Sequence, residues 1–148
     1  MQATISKPTG ADRPGWRQLF QLYAEFYRMP MDEATAGRVW GWLQDAAHPV
    51  KGLVARGDDG RLLGLTHYRP MPSPLRGTDI CFLDDLFVLP EARGQQLGEA
   101  LIQAVVEEAR RQGWRAVRWI TAEDNARARR LYDRVAQKTH WVTYEIRP

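Results

Sequence analysis

Apolar residues fall at helical spacing in four stretches of the chain and at strand spacing in six. Between Arg13 and Arg28, Trp16, Leu19, Phe20, Tyr23 and Tyr27 recur at steps of three and four, one stripe of an amphipathic helix. Asp12 precedes it as an N-cap type, Pro14 lies in the first turn where its missing N–H is harmless, and Met29-Pro30 stops it. Ala36, Val39, Trp40 and Leu43 mark a second helix from about Asp32 to Ala47, with His48-Pro49 beyond its end. The period then shortens. Val50 to Arg56 and Leu62 to Tyr68 are β-rich runs around Gly57-Asp58-Asp59-Gly60, whose residues tolerate the positive φ of a hairpin turn. A further short strand is expected at Ala3 to Pro8.

Pro70, Pro72 and Pro74 predict an irregular surface connection, because each lacks a ladder N–H. The run Asp79 to Leu89 is apolar at successive positions, so it predicts a strand covered on both faces. Pro90 to Gly94 is a turn. Gln95 to Gln112 is the clearest helix, with Gln95, Glu99, Gln103, Glu107 and Arg111 on its wet side and Leu97, Leu101, Ala104 and Val105 facing inward. Gly113 supplies its stop. A strand at Trp114 to Ala122, a helix at Asp124 to Ala136 and a last strand at Thr139 to Ile146 complete the order β-α-α-β-β-β-α-β-α-β. That order describes an α/β domain in which hairpins mix with strand-helix-strand crossovers.

The chain's 148 residues suit one domain, and 44% hydrophobic with 26% charged residues is ordinary globular usage. A chain of this size buries enough surface to hold a core without staples. Its lone Cys81 forms no disulfide within the chain and no thiolate zinc site. His48, His67 and His140 lack the i, i+4 spacing of a helical metal site, so no metal is expected. Residues 1–10 lack an apolar signal core and no run of about 18 apolar residues occurs, which predicts a cytoplasmic protein without membrane attachment. A net charge of +3 favours anionic ligands. The arginines of the second half interleave with Glu107, Glu108, Glu123, Asp124 and Asp133, the pattern of a solvated face, and no nucleic-acid partner is expected.

Chemistry concentrates in two places. Between the fourth strand and the long helix, Arg93-Gly94-Gln95-Gln96-Leu97-Gly98-Glu99 sets glycines and a cation at a helix N-terminus, where unpaired N–H groups attract anions. Two readings stand side by side. One is a diphosphate cradle; in the other Gly94 serves the turn, Gly98 permits close helix packing and Arg93 is solvated. The spacing fits neither GxGxxG nor a Walker loop. Further on, Asn125 and Tyr132 are seven residues apart, close to two helical turns of about 7.2 residues, so they share a side if Asn125 opens the helix. A cap role for Asn125 and a core role for Tyr132 are equally available readings. Asp84 and Asp85 interrupt the most apolar strand, and a carboxylate covered on both faces needs a partner or a cleft.

Taken together, Leu86 to Ala100 resembles the signature of the GCN5-related N-acetyltransferase (GNAT) superfamily, an Arg/Gln-x-x-Gly-x-Gly/Ala loop between a central strand and a helix. Arg93, Leu97 and Gly98 match it and Gly94 matches a frequent companion, whereas Gln96 stands where the family usually has glycine. Trp119 to Tyr132 is similar to the family's second signature, an Asn after a strand followed by a helix bearing Leu-Tyr; Ala136 stands where many relatives have glycine. With Phe82 to Val88, the chain looks most similar to the polyamine or histone/polyamine branch.

The resemblance implies a mixed, mostly antiparallel sheet with helices on both faces, a single N-acetyltransferase domain over residues 1–148, and acetyl-coenzyme A as cosubstrate without metal. It implies that the loop Arg93 to Glu99, Gln95 and Gln96 included, holds the pyrophosphate, and that Leu86, Phe87 and Val88 present backbone N–H groups to the thioester oxygen. It further implies that Asn125 steadies the pantetheine arm or the helix that bears Tyr132, that Tyr132 protonates the thiolate and that Asp84, in preference to Asp85, serves as base or amine anchor. The expected acceptor is a primary amine: a polyamine, a small lysine-like amine or a protein lysine. The rival is a non-catalytic acyl-coenzyme A sensor. Trp141 to Ile146, read as an exposed edge strand, predicts a homodimer or higher homo-oligomer.

Overall fold

A computed structural model describes residues 3–148; Met1 and Gln2 lie outside the described residues. Five strands form one sheet in the order β1-β2-β3-β4-β5: β1 Thr4–Ser6, β2 Lys51–Arg56, β3 Leu62–Ser73, β4 Thr78–Val88 and β5 Val117–Arg118. All neighbours are antiparallel except β4 and β5. Helices α1 (Arg13–Phe26) and α2 (Glu33–Gln44) cover one face; α3 (Leu97–Gln112) and α4 (Ala126–Val135) belong to the other. The mixed sheet between helical layers is the architecture expected from the element order. Among the described residues no helix is long and apolar enough to cross a membrane.

The two faces have separate cores. Trp16, Leu19 and Phe20 of α1 and Ala36 and Trp40 of α2 close over Val54, Leu65 and Phe87. On the opposite face Ile102, Val105 and Ala109 of α3 pack on Tyr68, Cys81 and Leu83. α2 starts at Asp32, whose carboxylate accepts from the Thr35 N–H at 2.8 Å. Asp12 does not cap α1. It closes a 3₁₀ turn, accepts from the Thr9 N–H at 2.8 Å and takes both guanidinium nitrogens of Arg56 at 2.8 and 2.9 Å. The Arg56 bonds hold its carboxyl down at about 2.

Four expectations are corrected. First, Pro70 and Pro72 belong to β3, which runs on to Ser73. Beyond Tyr68 the strand pairs with β4 alone, so it is an edge there, and prolines two apart turn the same side to solvent without losing a ladder bond. Second, the strand expected over Trp114 to Ala122 shrinks to two residues, paired at Cys81↔Val117 and Phe82↔Arg118. β5 leaves β4 after Phe82, and this divergence opens the cleft described below. Third, residues 139–146 form no strand: everything after Ala136 lacks regular structure and is exposed. Fourth, alternation along β4 is reset. The register steps from His67↔Asp85 to Tyr68↔Leu83, leaving Asp84 in a bulge. Leu83 therefore faces α3, whereas Asp85 and Phe87 face α1.

Candidate active site

A cleft of about 400 Å³ opens where β4 and β5 part. Its floor is Leu86, Phe87 and Val88, its near wall the turn and first helical residues Arg93 to Glu99, and its far wall α4 with Asn125, Ala128, Leu131 and Tyr132. Tyr23, Phe26 and Tyr27 of α1 close one end. Of the expected site residues, all but Gln95 and Asp84 line this space.

The near wall is shaped by local backbone geometry. Gly94 has φ +89° and Gln96 φ +61°, two left-handed residues that wrap the chain ahead of α3. The Arg93 N–H donates to Pro90, and the next amide to reach a backbone carbonyl is that of Ala100, donating to Gln96, so the N–H groups between them remain for a ligand. Gln96 bears a side chain in the conformation that favours glycine, at a cost of about 1 kcal/mol. A Cβ at Gly94 would meet nothing within 4 Å, whereas one at Gly98 would meet Leu131 of α4 at 3.3 Å. Gly98 thus lets the two helices approach, while Gly94 shapes the turn. Arg93 and Arg127 both line the cleft; burial, then the Arg127 charge, pulls the Arg93 guanidinium below its usual range without discharging it. Glu99, the one carboxylate in the wall among the described residues, is held by Arg134 at 2.7 Å.

Asn125 is the N-cap of α4, accepting from Ala128 N–H at 3.4 Å and donating to the Thr121 hydroxyl at 3.3 Å. The cap and the site wall are therefore one residue. Tyr132 faces the cleft with its ring against Trp119, centroids 5.4 Å apart. Burial, with Tyr27 beside it, pushes its phenol up to about 12.

The paired aspartates divide. Asp84 turns to Arg69, 3.0 Å away, and neither aspartate is part of the cleft lining; burial raises the Asp84 pKa against the pull of that arginine. Asp85 joins a chain that no local motif announced. Its Oδ2 lies 2.8 Å from Nδ1 of His67, which is 2% exposed, and His67 Nε2 accepts from the Trp16 indole N–H at 3.0 Å. An indole only donates, so Nε2 is bare and the imidazole proton sits on Nδ1, aimed at Asp85. Tyr23 lines the cleft; burial, then the charge and hydrogen bonding of Asp85, hold its phenol far above the ordinary range. Trp16 and His67 are 51 residues apart and His67 and Asp85 are 18 apart, so only the folded sheet joins them. Glu33 and Glu25 bond to Arg17 and Gln21 on the surface.

Comparison with known proteins fixes the class. Residues 16–136 match the acetyltransferase (GNAT) family, and the chain belongs to it. Over 135 residues it is 30% identical to the D-amino-acid N-acetyltransferase HPA3 of Saccharomyces cerevisiae, covering 90% of this chain and 84% of that protein. An uncharacterized N-acetyltransferase, YhfO of Bacillus subtilis, is 32% identical over 130 residues, 87% of this chain and 85% of its own. In fold, the chain is similar to the structure of AAC(6')-Iy in complex with a bisubstrate analogue, with TM-score 0.84, 20% identity and coverage of 100% of this chain and 99% of that one. A ribosomal-protein-alanine N-acetyltransferase from Brucella melitensis aligns with TM-score 0.82 at 24% identity, over 99% of both chains. The protein is an acetyl-coenzyme A-dependent N-acetyltransferase.

Proposed function

We propose that this enzyme acetylates a small primary amine bearing a single ammonium, with Asp85 as proton acceptor through the Tyr23 hydroxyl and Tyr132 as proton donor to the leaving thiolate. The observation that carries the reading is the meeting of three groups in one cleft: the amide-rich start of α3, the Tyr132 phenol and the Tyr23 hydroxyl backed by Asp85. The anion site fits a pyrophosphate, because free N–H groups, Arg93 and Arg127 converge where Glu99 is already neutralised by Arg134. Acetyl-coenzyme A supplies the activated acetyl group. Tyr23 passes a proton to Asp85 as it takes one from the ammonium, giving the free amine that attacks. His67 keeps Asp85 aimed by donating to it. The backbone of Leu86 to Val88, on the side that β5 has left, faces the developing oxyanion. Tyr132, kept protonated by its raised pKa, completes the step at sulfur.

The acceptor end is aromatic rather than acidic, with Tyr23, Phe26, Tyr27 and Phe87 and one charge behind Tyr23. A polyamine or a lysine-rich segment needs several carboxylates, and Asp84 is committed to Arg69. Amino acids therefore stand ahead of polyamines and peptide lysines as acceptors, a ranking supported by the activity for which HPA3 is named. The test is coenzyme A release from a panel of D- and L-amino acids, aminoglycosides, polyamines and lysine peptides. Turnover greatest with amino acids is expected. Tight acetyl-coenzyme A binding with no turnover on any amine would select the sensor reading instead.

A further inference from the structure

A neutral imidazole has one proton for two nitrogens, and the nitrogen that holds it is chosen by what the other one meets. At His67 the other one meets an indole. His67 and Asp85 stand directly opposite across β3 and β4, and His67 Nδ1 lies 2.8 Å from Asp85 Oδ2. Trp16 of α1 takes the other side of the ring, its Nε1–H donating to His67 Nε2 at 3.0 Å. Gly52 of β2 faces His67 from the next strand, where a Cβ would meet Leu43 at 3.1 Å and the imidazole Cδ2 at 3.5 Å. Phe20 stands edge-on to the imidazole with ring centroids 5.2 Å apart, and Trp40 packs on the indole at 5.1 Å. The ring is enclosed, and each of its nitrogens has a partner.

Of the three protonation states open to an imidazole, Trp16 permits one. An Nε2–H tautomer or an imidazolium would set its N–H against the indole N–H, two buried donors facing each other with both left unsatisfied. The remaining state carries its proton on Nδ1 and donates to Asp85. Two consequences follow for that carboxylate. Oδ2 is tied to the ring, which leaves Oδ1 for an incoming proton. A proton that arrives there goes no further, because a second proton on the imidazole belongs at Nε2, and the indole occupies it. Trp16 and Tyr23 are seven residues apart on α1, close to two helical turns of about 7.2 residues, so one helix meets this line of hydrogen bonds at both ends.

We infer that Trp16 is a positioning residue of this enzyme: by occupying His67 Nε2 it fixes the imidazole proton on Nδ1, aims it at Asp85 and ends the proton's path at that carboxylate. The kinetic consequence rests on the reading that Asp85 accepts the amine's proton, whereas the tautomer does not. When an ammonium gives its proton to Tyr23 and Tyr23 gives its own to Oδ1 of Asp85, the Nδ1 proton stays in place. The carboxylic acid then returns its proton by the way it came.

The full-length enzyme, labelled with nitrogen-15 for NMR and assayed in parallel, tests this. Near neutral pH the wild type is expected to carry one His67 ring proton, on Nδ1, and to show a scalar coupling between Trp16 Nε1 and His67 Nε2 across their hydrogen bond. Trp16→Phe keeps an aromatic ring in the core and removes the donor. Part of the His67 proton should then move to Nε2, and kcat should fall about tenfold, the scale of a lost supporting hydrogen bond, with KM for acetyl-coenzyme A changed by less than about twofold. In an Asp85→Asn background, where the acceptor is already gone, Trp16→Phe should lower kcat no further. A wild-type His67 protonated on Nε2, alone or together with Nδ1, overturns the inference, and that outcome needs no variant to fold. So does a Trp16→Phe enzyme with unchanged tautomer and kcat. A loss of the same size with and without Asp85 overturns it too, because Trp16 then acts through packing alone. If Asp85→Asn by itself keeps the wild-type kcat, the proton-acceptor reading falls, and a shifted tautomer in Trp16→Phe still supports the direction that Trp16 gives to the line.

Discussion

The two strand-helix units that wall the cleft differ in how much of themselves they bury. In β4–α3 the strand is central and the helix buries Leu97, Leu101, Ile102, Val105 and Ala109. In β5–α4 the strand is a two-residue edge and the helix buries nothing, touching the core through half-buried Leu131, Tyr132 and Val135. The wall that begins α3 is thus held by the chain's own core, while the wall that carries Tyr132 is thinly supported. Fixed donors aimed at an anion gain from rigidity. A wall that admits and releases a long cosubstrate gains from being less firmly packed.

Several substitutions would break or sharpen this contrast. The largest effect belongs to the thinly packed wall: Tyr132→Phe is expected to lower kcat by about 100-fold or more, the range of a lost general acid, with a small change in stability. Steady-state kinetics and thermal unfolding on one preparation check it. Its pH dependence has a definite sign. Folding raises the phenol from 10.0 to about 12, so the acid form persists past the point where a free tyrosine ionises. Its contribution to stability is complete below about pH 10 and fades as pH rises toward 12. An alkaline fall in kcat centred well below pH 10 would count against Tyr132 as the donor.

Next comes the core of the firmer unit. Leu101→Ala, fully buried, should cost about 3 kcal/mol in urea unfolding, whereas Leu131→Ala on α4 should cost about 1 kcal/mol. Equal losses would erase the contrast. Arg93→Ala should raise KM for acetyl-coenzyme A roughly tenfold, about the 1.4 kcal/mol of one lost charge-assisted contact, with kcat little changed. The smallest effect is expected from Gln96→Gly, a stability gain within about 1 kcal/mol as left-handed strain is relieved. Unfolding midpoints report it, and a loss would show that the Gln96 side chain has a role of its own.

Much of the fold was legible because it is written in local periodicity. The stripe through Trp16, Phe20 and Tyr23, the hairpin at Gly57 to Gly60 and the long helix ending on Gly113 each follow from spacing and stop residues. The departures share one physical origin, the dependence of a strand on its neighbour. Pro70 and Pro72 are compatible with a strand whose far side is open, and openness is not visible locally. The Asp84 bulge is a property of the β3–β4 pair, and it sends Asp84 to Arg69 and Asp85 to His67. Trp141 to Ile146 has the pattern of a strand but pairs with no strand among the described residues. Of the site, the run Arg93 to Glu99 and the pair Asn125 and Tyr132 could be found from motif and helical spacing. Tyr23, His67, Trp16 and Arg127 could not, because an aromatic stripe, a lone histidine and a helical arginine each have ordinary structural uses.

By itself the sequence determined which segments are helical and where glycines and a cation precede the long helix, since these depend on side-chain spacing and on glycines that a few neighbouring residues define. Only the tertiary structure decided that Asp85 meets His67 while Asp84 turns to Arg69, that α1 closes one end of the cleft, and that residues 139–146 leave the sheet instead of joining it. Those outcomes turn on pairing register and on the direction in which a helix ends. Both are set by contacts between residues far apart in the chain, whose energies no local window contains.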